Sequence, residues 1–146
     1  MNKDDMTITI VEAKKKSGMG WEDIAEKVGL NPVFLTSACL GMNSLKPEYA
    51  DKLCEVLSLT DDVSEALQEF PHKSWDKIVP TDPVIYRFYE MVGVYGDTMK
   101  EIIHEKFGDG IMSAIDFSMD IGKEENPAGD RVLINLNGKF LPYKSW

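Results

Sequence analysis

Arg87 and Glu90 stand three residues apart in PTDPVIYRFYEMVGVYG, a stretch otherwise crowded with apolar and aromatic side chains. Side chains three apart on a helix share a face and can touch. The ordinary explanation of such a pair is a structural ion pair. The context argues for more. Only two of the sixteen basic residues are arginines, Arg87 and Arg131. Setting one of them in an aromatic helix is costly unless it is paired and hydrogen-bonded. A guanidinium also offers a planar fork of donors that matches carboxylate-like anions. An arginine oriented by a glutamate in apolar surroundings is therefore a candidate anion site.

Ser113 is the third candidate. Residues 111–121 alternate with period two: Ile111, Ser113, Ile115, Phe117, Met119 and Ile121 fall on one face, and Met112, Ala114, Asp116, Ser118 and Asp120 on the other. Ser113 is then the one polar residue on an apolar strand face. A core serine bonded to backbone is the ordinary alternative. The functional reading is a hydroxyl that points into the same closed space as Arg87.

The elements that position these residues follow from the local signals. Asp82 is an N-cap and Pro83 a first helical residue. Val84, Tyr86, Phe88, Tyr89, Met91, Val92 and Val94 make the helix apolar almost all round, the pattern of a buried helix. A break is expected at Gly96, with a second helix capped by Asp97 running to about Lys106. Gly108-Asp109-Gly110 is a turn into the strand at 111–121. Lys123–Asp130 is a polar loop and Arg131–Leu136 a second strand. Asn137-Gly138 reads as a two-residue hairpin turn, leading to a third strand at Lys139–Leu141 closed by Pro142. About 65 residues so arranged leave unpaired strand edges and an apolar sheet face, and pairing with another copy of the chain is the economical solution.

Residues 5–70 read as five short helices: Asp5 to Lys16, despite the β-rich run Thr7–Val11; Trp21 to Val28, stopped by Gly29; one opened by Asn31-Pro32 and ending near Gly41; Pro47 to Leu57; and one opened by Thr60-Asp61-Asp62 and ending before Pro71. Trp21 to Leu40 has the outline of a helix-turn-helix. Its second helix, PVFLTSACL, holds no Arg, Lys, Asn or Gln to read bases, and Lys27 is the one basic residue between Trp21 and Ser44. DNA binding needs several phosphate contacts. Phe70–Asp82, with Pro71, Ser74 and Pro80, is the expected linker. The fold class is α+β: a helical domain over 1–76 that resembles a repressor-like helix-turn-helix bundle without DNA binding, and a small α/β domain over 77–146 expected to carry dimerisation and the candidate site.

The chain has 146 residues and a net charge of −9. That balance opposes non-specific binding to nucleic acid or an anionic membrane. No signal peptide and no membrane span is expected. Cys39 and Cys54 lie in apolar helical surroundings and read as reduced thiols of a cytoplasmic protein. Glu101-Ile-Ile-His104 is a single copy of a di-iron motif that needs two, and the other histidine, His72, sits in the linker. No metal is expected. His104 reads as a helix C-terminal cation or a hydrogen bonder at the edge of the core. There is no G-x-S-x-G elbow and no phosphate-binding glycine loop.

The run PTDPVIYRFYEMVGVYGDTMKEIIHEKFGDGIMSAIDF, with the tail NGKFLPYKSW, closely resembles the cyanase (cyanate hydratase) family, densely from Pro80 onward and continuously over the helical half. The resemblance implies that Arg87, Glu90 and Ser113 are catalytic, since the family's Arg and Glu lie in RFYE and its Ser in GIMSAI. It implies cyanate and bicarbonate as substrates, giving carbamate and carbon dioxide, with carbamate then decaying to ammonia and carbon dioxide. It implies a homodecamer, a pentamer of dimers with sites between dimers, and no cofactor beyond bicarbonate as co-substrate. The anions are expected to meet Arg87, Ser113 and the Ala114 N–H. A helix-turn-helix transcription regulator and a catalytically inactive cyanase-like oligomer are the alternatives.

Overall fold

The computed structural model describes residues 1–71 and 79–144. Most of the expected linker, including His72 and Ser74, lies outside the described residues. The architecture is α+β, and the described residues form six helices followed by two strands: α1 Lys3–Ser17, α2 Trp21–Val28, α3 Pro32–Cys39, α4 Pro47–Leu57, α5 Asp61–Gln68, α6 Pro83–Phe107, β1 Gly110–Glu124 and β2 Arg131–Pro142. The chain divides into two compact units, Met1–Lys73 with Met119–Asn135, and Ser74–Ser118 with Leu136–Trp146.

In the first unit α1 to α5 surround one apolar core. Met6, Ile10, Ile24, Val28, Leu35, Leu53, Val63 and Leu67 are all fully buried in it. This core explains why the β-rich Thr7–Val11 run is helical. Met6 and Ile10 are one helical turn apart and both bury, so packing overrides their local preference. Several helix ends follow the sequence signals, while α1 begins two residues before the expected Asp5. Asn2 caps α1 by accepting from the Asp5 N–H at 2.8 Å, and Asn31 caps α3 by accepting from Val33 N–H at 2.9 Å and Phe34 N–H at 3.3 Å. Gly29 ends α2 at φ 86°, and both Gly29 N–H and Leu30 N–H donate to the Ala25 carbonyl. Only a residue without Cβ takes that backbone without strain. Thr60 holds the N-cap position of α5 but caps nothing with its side chain; its hydroxyl donates to the Asp62 carboxylate.

Cys39 and Cys54 are free and buried in this core, as expected. Burial, reinforced by Cys54, pushes the Cys39 thiol up to about 12 from 9.0. Burial, with Asp51, Asp61 and Asp62 nearby, raises Cys54 to about 11. Both are inert as thiolates near neutrality.

The C-terminal half of the chain departs from the sequence reading in three places. First, α6 is one 25-residue helix with no break at Gly96. Gly93 and Gly96 are tolerated inside it; a helical glycine costs about 1 kcal/mol relative to alanine, too little to end a long helix. Asp97 is therefore interior and caps nothing, whereas Asp82 does cap, accepting from Val84 N–H at 2.9 Å and Ile85 N–H at 3.0 Å. Second, α6 has no buried residue within this chain, so the apolar pattern that predicts burial is instead an exposed surface: Val84 is 66% and Val92 61% accessible. Third, there are two strands among the described residues, not three. β2 runs unbroken from Arg131 to Pro142 through Asn137-Gly138. The reversal falls at 125–130, where the Asn126 side chain accepts from Ala128 N–H at 2.9 Å and Lys123 pairs with Asp130 at 2.7 Å. An Asn-Gly pair favours a hairpin turn, but Val132, Ile134, Leu136 and Phe140 keep a period-two pattern in register across it, and the longer ladder prevails.

Candidate active site

Arg87 lies one turn into α6, after the Asp82 cap and Pro83. Its Nη1 is 3.9 Å from Glu90 Oε2, a charge contact too long for a hydrogen bond. Both side chains are more than half exposed within the chain. The guanidinium also lies over the Tyr86 ring, 5.7 Å from its centroid, and Tyr86 stacks on Tyr89 at 6.4 Å. The expected burial of Arg87 is thus not met inside one chain. Its aromatic neighbours and its glutamate are in place, and the fork itself is open.

Ser113 is buried, and its environment is more specific than a strand face. Strict alternation fails here: Ile115, expected beside Ser113, is 97% accessible. The Ser113 hydroxyl oxygen accepts from Ile115 N–H at 3.1 Å and from Asp116 N–H at 3.0 Å. A regular strand does not bring the amides two and three residues on to one side chain. The backbone therefore bulges between Ser113 and Asp116. β2 passes the Ser113 carbonyl at Gly138. A bulge supplies extra residues on one strand and re-aims a side chain, and bulges concentrate beside active sites.

Two incoming amides change what this hydroxyl can do. A serine oxygen has two acceptor sites and one proton. Both hydrogen bonds to Ser113 Oγ among the described residues are incoming. The hydroxyl is left as a donor, polarised by two N–H dipoles. The backbone-bonded serine of the ordinary alternative and the anion-facing donor are here the same arrangement. Ala114, the next residue, is exposed on the bulge.

Among the described residues no hydrogen bond or ion pair joins Arg87 or Glu90 to Ser113. The pair and the serine occupy one unit, on α6 and on β1, without meeting inside it. His104 ties the two elements near their junction. Its Nε2 is 3.0 Å from the Gly110 carbonyl, its Nδ1 is 3.4 Å from Asp109 Oδ1, and its ring meets Tyr143 edge-on. It is a hydrogen bonder at the edge of α6. The bulge at Ser113 and the close approach of Gly138 escaped the sequence reading. The continuing alternation from Val132 to Phe140 was the signal that Gly138 sits inside a strand.

In the first unit, a groove of about 370 Å³ runs beside α3, lined by Asn31, Pro32, Val33, Thr36, Ser37 and Leu40 together with Glu22, Asp120 and Ile121. Asn31 donates to Asp120 there at 2.7 Å. The charged groups of this groove are carboxylates, which repel phosphate.

Comparison with known proteins covers nearly the whole chain. Residues 3–71 match the family model of the cyanate hydratase N-terminal domain, and residues 77–145 that of the cyanate lyase C-terminal domain. The chain is 62% identical over 146 residues to the cyanate hydratase of Teredinibacter turnerae and 59% identical to that of Marinomonas sp., in each case over all of both chains. The crystal structure of cyanase from T. urticae superposes with a TM-score of 0.86 at 38% identity, over 94% of this chain and 97% of that one. The chain therefore belongs to the cyanate hydratase family, and is with it an enzyme of the lyase class.

Proposed function

We propose that this enzyme decomposes cyanate with bicarbonate as co-substrate, giving carbamate and carbon dioxide, after which carbamate falls apart to ammonia and a second carbon dioxide. The full-length relationship, at up to 62% identity, carries this reading. Cyanate and bicarbonate are both anions and repel in water. A site that holds both removes the repulsion and supplies proximity, an effect worth up to roughly 7–11 kcal/mol in well-oriented systems. A bicarbonate oxygen attacks the electrophilic cyanate carbon, and charge collects on the dianionic adduct; the bicarbonate proton and one from solvent end on nitrogen, and the bond between the attacking oxygen and the bicarbonate carbon breaks to release carbon dioxide and carbamate. Donors already aimed at that charge stabilise the transition state.

Arg87 binds and neutralises the anions. Glu90, its neighbour on the helix face, sets the orientation of the guanidinium and is not a nucleophile. Ser113 donates its one proton to an anion oxygen, with the Ala114 N–H beside it. The amides of Ile115 and Asp116 support this role, since they leave the hydroxyl nothing to do but donate. The reaction requires neither metal nor further cofactor, because bicarbonate is itself the nucleophile.

The same proposal has residues 1–76 as the helical domain and 77–146 as the catalytic one, with several copies assembled as a homodecamer of five dimers. A 25-residue helix with no residue buried in its own chain supports self-association. Assembly brings copies of Arg87 toward Ser113, which a single chain does not. Two free thiols fit a cytoplasmic enzyme. A nucleic-acid role is disfavoured by the carboxylates beside α3 and by the absence of base-reading side chains on that helix.

The test is ammonia release from cyanate in carbon-dioxide-depleted buffer, with and without added bicarbonate. Release that requires bicarbonate is the expected result. Release independent of bicarbonate means simple hydrolysis and overturns the mechanism. No release from a folded oligomer leaves a catalytically inactive member of the family.

A further inference from the structure

Gly138 sits where β2 passes the Ser113 bulge. A Cβ there would lie 2.5 Å from the Ser113 carbonyl oxygen and 2.5 Å from Met112 Cγ, with Met112 Sδ at 3.2 Å. Contacts of this kind below 3.0 Å force something to shift. Met112 is a flexible side chain and can turn aside. The carbonyl is backbone and moves only by taking Ser113 with it. A second close approach reinforces the first: at Gly110, three residues before Ser113, a Cβ would run into the Leu141 carbonyl and the Phe140 ring. Each strand thus supplies a glycine where the other crowds it, one against the serine and one three residues before it.

We infer that Gly138 is a positioning residue for Ser113: its missing side chain lets β2 close on the bulge, and that closure fixes where the Ser113 hydroxyl points. The position of Oγ depends on two amides, those of Ile115 and Asp116, and both belong to the bulge. The bulge is held at its first residue by the close approach of β2 at Gly138. Displacing the Ser113 carbonyl rotates the peptide that begins the turn, and the hydroxyl goes with it. A misplaced donor in a preorganised site loses its effect on the transition state without leaving the structure. This inference rests on the reading of Ser113 as a hydroxyl donor.

The test is a double-mutant cycle read in kcat and KM, at enzyme concentrations high enough to measure slow variants. Ser113→Ala is expected to lower kcat by roughly 10²–10³, the usual cost of removing one donor to a developing oxyanion. Gly138→Ala is expected to lower kcat at least tenfold and to change KM for either anion much less. The double variant Ser113→Ala/Gly138→Ala should turn over no more slowly than Ser113→Ala alone, because a misaimed hydroxyl and a missing one are equivalent. Neighbouring residues that act through one group show such non-additivity. Gly122→Ala serves as the strand-glycine control, since its Cβ would meet only Leu133 Cβ at an ordinary 3.9 Å. It should leave kcat unchanged.

Equal losses from Gly138→Ala in both backgrounds would overturn the inference, as would a wild-type kcat in Gly138→Ala. A wild-type kcat in Ser113→Ala would instead overturn the reading of the site itself. Should Gly138→Ala fail to fold, Met112→Ala/Gly138→Ala removes the side-chain collision and keeps the backbone one. A folded but slow enzyme is then expected. Turnover equal to that of Met112→Ala alone refutes a positioning role. Failure to fold even then also refutes it, because the glycine would be required by the hairpin and not by the serine.

Discussion

Arg87→Lys separates the two roles an arginine can have here. The substitution keeps the charge and removes the planar fork. In the chain as folded, the Arg87–Glu90 contact is a 3.9 Å, solvent-exposed i,i+3 pair. Such pairs contribute about 0.2–0.5 kcal/mol, and lysine can make the same contact. Thermal stability should therefore change by no more than about 0.5 kcal/mol. Catalysis should change far more. A bidentate guanidinium gives two parallel hydrogen bonds to an oxyanion, and an ammonium replaces them with a single mobile point charge. Losing one charge-assisted bond of about 1.5–3 kcal/mol lowers kcat/KM by roughly 10- to 150-fold. The assay is steady-state ammonia release at varied cyanate and bicarbonate, with thermal unfolding and oligomer size measured on the same preparation. Wild-type kcat/KM in an intact assembly would refute the anion-binding role. A loss of turnover matched by loss of the assembly would make Arg87 an interface residue instead.

Glu90→Gln keeps the shape and removes the charge that orients Arg87; a loss of about tenfold in kcat with unaltered oligomer size is expected, and full activity would remove Glu90 from the mechanism. Leu53→Ala opens a cavity in the five-helix core, where Leu53 is fully buried, and should cost about 2–5 kcal/mol by denaturant titration; a loss below about 1 kcal/mol would mean the helical unit collapses around the gap. Cys39 predicts an alkaline limb of stability. Its thiol ionises near 9.0 when unfolded and about 12 when folded, so above pH 9 the unfolded chain releases a proton that the folded one keeps. Stability is intact below pH 9 and falls as pH rises toward 12, by about 4 kcal/mol at the limit. Cys39→Ala should lessen that fall between pH 9 and 11 in chemical-denaturation profiles, leaving the part that Cys54, raised to about 11, contributes; an unchanged slope would assign the limb to other groups.

The helical half was legible because its signals are local. Gly29, Asn31 and Pro47 each act within a turn of where they sit, and the bounds of α2 and α4 fall where those residues put them. The type of each candidate site residue was equally legible, since one arginine among aromatics and one serine among aliphatics stand out by composition. Their surroundings were not. α6 ran through Gly96 because a helix is decided by the sum over its length and not by one weak position. Asn137-Gly138 resembled a turn because a dipeptide does not reveal the ladder on either side. The Ser113 bulge depends on which residues of β2 lie opposite, a long-range fact that period-two counting ignores.

The distribution of buried side chains sets an order of events and a dependence on dilution. Among the described residues every buried apolar side chain lies between Met6 and Leu67. That half leaves the ribosome first and holds a complete core before α6 is made. The apolar helix and hairpin then emerge tethered to a folded module within a chain of net charge −9, which keeps them dispersed while they wait for partners. Two parts of one chain thus obey different laws. The helical half has a stability that is independent of protein concentration. In the proposed assembly the C-terminal half, whose α6 buries nothing within its own chain, is held by mass action, and each tenfold dilution weakens an association step by about 1.4 kcal/mol. Specific activity should fall on dilution before any helix of the first half unfolds.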